Sequence, residues 1–223
     1  MVPRQGTAGL SGIIAGIGLA VLTVVFFTAG VTPETMMDPG KALPFLAQNL
    51  ARIRAIALLA LITLGFAVPF IAGIAAALRE RTPTRATAVL YFGLLGVAGH
   101  GIGSVLFWTA VPALTAHAAT DQVAASHAWV AVNAVAGTMD GVGNLFVGLS
   151  ILLAGWAMVA SGAFTAALGW YGVIAGALMV LAVLAPAVGI LYLGTFVLPV
   201  IWLVWAGSAL RLGPAFVWKG TDA

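Results

Sequence analysis

The chain has 223 residues, of which 62% are hydrophobic and 7% charged. Water-soluble domains carry about 25% charged residues, so a soluble fold is excluded and the chain is expected to lie in a bilayer as an all-α bundle. Absence of cysteine excludes disulfides, thiol catalysis and zinc–thiolate sites, and the net charge of +3 comes from nine Lys and Arg placed where topology signals and lipid headgroups, not nucleic acid, account for them.

Charge-free runs set the elements. Nothing from Gln5 to Pro33 is charged, and the apolar stretch after Arg4 exceeds the h-region of a cleaved signal, so a retained first helix is expected. Glu34, Asp38 and Lys41 lie among Pro33, Pro39 and Gly40, which reads as a loop leading into an interfacial helix from Leu43 to Asn49. After Arg52 and Arg54, the run Ala55 to Leu78 is long enough to span, with a kink expected at Pro69. The basic string from Arg79 to Arg85 is a loop, and a third span follows it. Pro112 to His127 reads as a polar loop. The 70 residues from Gly141 to Leu210 hold no Asp, Glu, Lys or Arg, with breaks expected at Ser161-Gly162 and at Pro186. The expected spans are near 9–30, 55–78, 86–111, 138–160, 166–185 and 187–208, forming one integral membrane domain.

Six spans put both termini on one side. That side carries Arg4, Arg79, Arg81, Arg85, Arg211 and Lys219, against Lys41, Arg52 and Arg54 on the other. The positive-inside rule then makes the termini cytoplasmic, in a plasma or inner membrane. Trp156, Trp170, Tyr171, Trp202 and Trp205 are expected to girdle the inner face, and Trp108 and Trp129 the outer one. Glycine recurs at small-xxx-small spacing in Gly12/Gly16/Ala20, Gly99/Gly103, Gly137/Gly141 and Gly172/Gly176. Such faces let helix backbones approach, as packing seams within the chain or as contacts with other membrane subunits.

Ionisable groups within a bilayer are costly and need a reason. Asn133, Gly137, Asp140, Asn144 and Gly148 repeat at helical spacing and form one polar, small-residue stripe facing the bundle interior. At 1.5 Å per residue, His100, Asn144, Asp140 and Arg54 fall roughly 21, 24, 30 and 36 Å above the inner face. With Arg52, Asn133 and Tyr192 they suggest one outward-facing polar cluster, in which Asp140 pairs with Arg54 or Arg52. The cluster is open to three readings: a network fixing helix register, a ligand or proton site, or a lipid-facing or water-exposed Asp140 with no partner.

His100 stands in Gly99-His100-Gly101-Ile102-Gly103. The glycines leave room for a tight helix crossing, or for haem or chlorophyll with His100 as axial ligand. His117, Asp121 and His127 are weak candidates for a metal site in the outer loop. No nucleotide-binding or hydrolase motif stands in a usable context.

Asn144-Leu145-Phe146-Val147-Gly148 leads through Leu152-Leu153-Ala154-Gly155-Trp156 to Ser161-Gly162, then to Ala167-Leu168-Gly169 and Ile174-Ala175-Gly176. An apolar, Trp-rich helix from Leu198 to Gly207 closes the pattern, and the basic turn from Leu78 to Arg85 also fits it. This resembles the bacterial six-helix membrane proteins of the DUF4386 family. The resemblance implies a six-helix membrane fold and assigns no residue a role.

Three function classes are compatible with these residues. The first is a non-catalytic accessory or structural subunit of a larger membrane complex. The second is a carrier or receptor for a small molecule or proton at an outward-facing polar site. The third is a cofactor protein or lipid enzyme using His100 and Asp140. The sequence itself requires no cofactor, and low charge with short loops weighs against an enzyme acting on water-soluble substrates.

Overall fold

A computed structural model describes residues 5–185 and 189–213, with the side chains at 33 and 189–193 outside the description. The described residues form eight helices: α1 (Gln5–Thr28), α2 (Pro33–Met37), α3 (Pro39–Gln48), α4 (Leu50–Leu78), α5 (Pro83–Ala118), α6 (Gln122–Ser161), α7 (Ala166–Leu184) and α8 (Gly189–Leu212). Six of them, α1 and α4 to α8, are long and apolar enough to cross a membrane. The chain is therefore a multi-pass membrane protein whose outer helix faces meet lipid.

The six long helices close into a ring. α1 packs on α4, α4 on α5, α5 on α6, α6 on α7, α7 on α8, and α8 returns to α1. The α4–α5 and α6–α7 connections mark one end of the bundle, here the turn end. Thr32 and Asp38 accept backbone N–H bonds to cap α2 and α3, which close the other end, here the cap end.

Basic side chains pin the turn end. Arg81 donates to the Ser161 carbonyl across the two connections, and the Arg85 guanidinium stacks 4.4 Å from the Trp156 ring centroid. α6 stops where Gly162 turns left-handed at φ 61°, a conformation glycine adopts without the Cβ penalty. The expected break at Ser161-Gly162 is thus present. Pro186 lies outside the described residues, between α7 and α8.

Residues 112–127 differ from the loop expected of them. α5 runs through Pro112 to Ala118 and α6 starts at Gln122, leaving a connection of only Ala119 to Asp121. Alanine dominates this stretch and favours helix. Asp121 accepts the Ala124 N–H to start α6, so polar residues here cap helices instead of breaking them. The fourth span consequently starts well before residue 138. Two of the expected girdle tryptophans are interior: Trp129 is 1% exposed and Trp202 4%. Trp129 donates through Nε1 to the Met36 carbonyl, and Trp202 packs edge-on against Phe70 at 5.5 Å. Trp156, Trp170 and Trp205 do face outward.

Helices gain no hydrophobic energy by leaving lipid for each other, so close backbone packing has to hold them. Gly99 lies against the Gly143 backbone, Gly155 against Gly169 and Val173, and Gly176 against Gly148 and Leu152. Gly12 receives the Phe70 ring, and Gly16 abuts Val204. These seams lie within the chain. The Gly137/Gly141 pair differs, because a Cβ at either position meets nothing within 4 Å.

Two glycine substitutions separate these cases. Gly176→Val drives a side chain into the α6 backbone and should cost about 1–3 kcal/mol, read as unfolding free energy in mixed micelles. Gly141→Ala should be neutral or gain about 0.5–1 kcal/mol from helix propensity.

Candidate functional site

Two apolar clusters fill the bundle. One, built on Phe70, Ile74, Leu78, Met158, Leu168 and Trp202, occupies the turn end. The other, built on Leu43, Leu46, Ile53, Val111 and Trp129, joins α3 to α4, α5 and α6 at the cap end. Between them the ring surrounds a partly open cavity of about 510 Å³. It touches both clusters, from Ile74, Val89 and Met179 at one end to Met36, Leu46 and Ile53 at the other. Its wall is mostly apolar, with a polar belt partway along it.

The belt is built from α5 and α6. His100 Nδ1 lies 2.7 Å from Asp140 Oδ1, and Asn144 Nδ2 donates to Asp140 Oδ2 at 3.3 Å. Close packing at the Gly99–Gly143 crossing makes this contact possible, because the imidazole lies flat against Gly143, where a Cβ would meet the ring at 2.8 Å. Counted along their helices from the turn end, His100 is roughly 25 Å in and Asp140 roughly 31 Å. A carboxylate on Nδ1 fixes the ring orientation and leaves Nε2 to whatever occupies the cavity.

Among the described residues, Nε2 of His100 has no hydrogen-bond partner, and neither do the hydroxyls of Thr63 and Ser104. All three residues line the cavity. The contrast with other helix hydroxyls is informative. Thr23, Thr109, Thr138 and Ser208 each bond the carbonyl four residues earlier, the usual way to hide a hydroxyl in a helix. All three keep accessible surface, so a guest or water in the cavity can partner them.

The stripe on α6 is divided by what it faces. Asn133, Gly137, Asp140 and Asn144 face the cavity, and Asn133 also reaches the Met36 carbonyl at 3.4 Å. Gly148 turns instead to Met179 and Gly176 on α7. Neither arginine joins the cluster. Arg54 stacks on Trp108 at 4.5 Å and Arg52 donates to Thr28 Oγ1 at 3.2 Å. The expected Asp140–Arg pair is therefore replaced by Asp140–His100, because an aromatic face and a hydroxyl nearer the helix ends hold the guanidiniums. Tyr192 lies outside the described side chains. His117 ends α5 and His127 lies within α6, and with Asp121 they form no metal-binding group, since no three such residues gather among those described. Neither histidine lines the cavity, so His100 has no second axial histidine there.

A ring of six apolar helices around a partly polar cavity defines a polytopic membrane protein. Within that class the chain belongs to the DUF4386 family, a domain of unknown function whose pattern matches residues 14–207. No curated protein and no solved structure matches the chain significantly.

The cap is tied to the site through Met36, which lines the cavity and whose carbonyl accepts from both Trp129 and Asn133. Trp129→Phe removes the stronger donor. It should cost about 1 kcal/mol and raise amide hydrogen exchange in residues 33–37 while leaving α7 unchanged.

Proposed function

We propose that this protein is a receptor or carrier for a small, largely apolar molecule, held in the central cavity with its polar group at His100, Asp140 and Asn144. The observation that carries this reading is the set of unpaired polar groups (His100 Nε2, Thr63 and Ser104) on the wall of a cavity of about 510 Å³. Binding sites for small molecules combine such apolar walls with a few convergent polar groups. An intramembrane carboxylate further marks a ligand or ion path.

The same geometry weakens the accessory-subunit reading. Gly12, Gly16, Gly99, Gly172 and Gly176 spend their small faces on helices of this chain and Gly137 lines the cavity, which leaves Gly141 of the expected pairs with an open face. The excess of Lys and Arg at the turn end and termini supports placing that end in the cytoplasm of a plasma or inner membrane. On that orientation the belt lies toward the outer half of the bundle.

Gly137 supplies the test. Its missing side chain opens onto the cavity without touching any neighbour. Gly137→Phe should fill the space and leave the fold intact. Native mass spectrometry and organic extraction of protein purified in mild detergent should find a bound small molecule on the wild type and lose it in Gly137→Phe. Equal recovery from both proteins would sink the proposal.

A further inference from the structure

The charge pattern of the cavity says what kind of molecule it takes. Asp140 is the one Asp, Glu, Lys or Arg among the described residues lining it. His100 beside it is the other titratable residue among the described residues on the wall. Lys and Arg are kept elsewhere: Arg52 and Arg54 on α4 are held by Thr28 and Trp108, and Arg81 and Arg85 are engaged at the turn end. The carboxylate is not used up by its neighbours. His100 takes Oδ1 at 2.7 Å, Asn144 reaches Oδ2 only at 3.3 Å, and the Asp140 side chain stays 52% exposed. The same wall carries the aromatic rings of Phe26, Phe107 and Phe196.

A carboxylate in a low-dielectric space attracts a cation far more strongly than it would in water, and aromatic faces add to that attraction. An acid or a phosphate would meet a carboxylate there and no arginine or lysine. We infer that the cavity selects lipophilic organic cations, such as hydrophobic amines or quaternary onium ions, with the positive centre at Asp140 and the apolar body against the aromatic wall. His100 acts as a positioning residue: its Nδ1 holds one carboxylate oxygen and so orients the other toward the guest. The inference rests on the cavity being a ligand site, as proposed above, and adds the charge of the ligand.

Three probes of related shape decide it: tetraphenylphosphonium, its anionic counterpart tetraphenylborate, and neutral triphenylphosphine oxide. Saturable binding to the full chain in a neutral detergent is measured by titration calorimetry, with intrinsic tryptophan fluorescence as a second readout. Tetraphenylphosphonium is expected to bind at one per chain, and tetraphenylborate to bind without saturation. Asp140→Asn should weaken the phosphonium by about tenfold or more, while Asp140→Glu retains it and controls for folding. If triphenylphosphine oxide binds as tightly as the phosphonium, or if Asp140→Asn binds the phosphonium like wild type, charge selection is refuted and the cavity reading stands. If no probe saturates the wild type and Gly137→Phe behaves identically, the cavity reading falls, and charge selection with it.

Discussion

Backbone contact at glycine is the constraint on which the rest of this bundle depends. In lipid, apolar side chains gain little by packing on one another. The α5–α6–α7 wall is therefore joined where Gly99 meets Gly143, Gly155 meets Gly169, and Gly176 meets Leu152. That wall determines where the His100–Asp140 contact falls, because only a near-touching α5–α6 crossing brings an imidazole on one helix to a carboxylate on the other. The far side of the ring packs differently. Gly12 of α1 is filled by the Phe70 ring and Gly16 abuts Val204. The central space remains between the tightly joined wall and these side-chain contacts.

Much of the architecture was legible because charge is scarce. Each uncharged run longer than about 20 residues has to cross a bilayer, and six such helices are present. The α6 stripe was legible for a related reason, since spacing of three and four residues places Asn133, Gly137, Asp140 and Asn144 on one face. Asp140's partner was not legible. Heights along a helix follow from counting residues, but rotation about its axis does not, and Arg54 faces Trp108 instead of the interior. The α5–α6 turn was obscured by its polar residues, since Asp121 serves equally as a loop residue or a helix cap. Trp129 and Trp202 stood for lipid-facing anchors in the sequence, and only tertiary contacts with Met36 and Phe70 place them inside. The cavity itself left no direct trace, because such a space is defined by what side chains fail to fill.

The distribution of hydroxyls also bears on function. A helix in lipid can silence a threonine or serine by turning it back on its own carbonyls. Most of the hydroxyls in these spans do so, and Ser150 spends its own on the Val89 carbonyl of the neighbouring helix. Thr63 and Ser104 do neither, and with His100 they line the same cavity. They add polar groups to the wall of an otherwise apolar bundle, with the Thr63 hydroxyl lying against Gly18 of α1.

Unequal helix length has a consequence at the membrane surface. α6 has 40 residues and α7 has 19, which correspond to rods of about 60 and 28 Å. The shorter rod matches a hydrocarbon core of about 30 Å. The longer one would have to lean by about 60° to hide within it, beyond the ~40° limit of tilts seen in spanning helices. The α5–α6 hairpin therefore stands above the lipid on the cap side, while α7 ends at its surface. His117, Asp121, Gln122 and His127 occupy that protruding part, so the link between the two longest helices sits in water while the α7 end sits at the lipid surface.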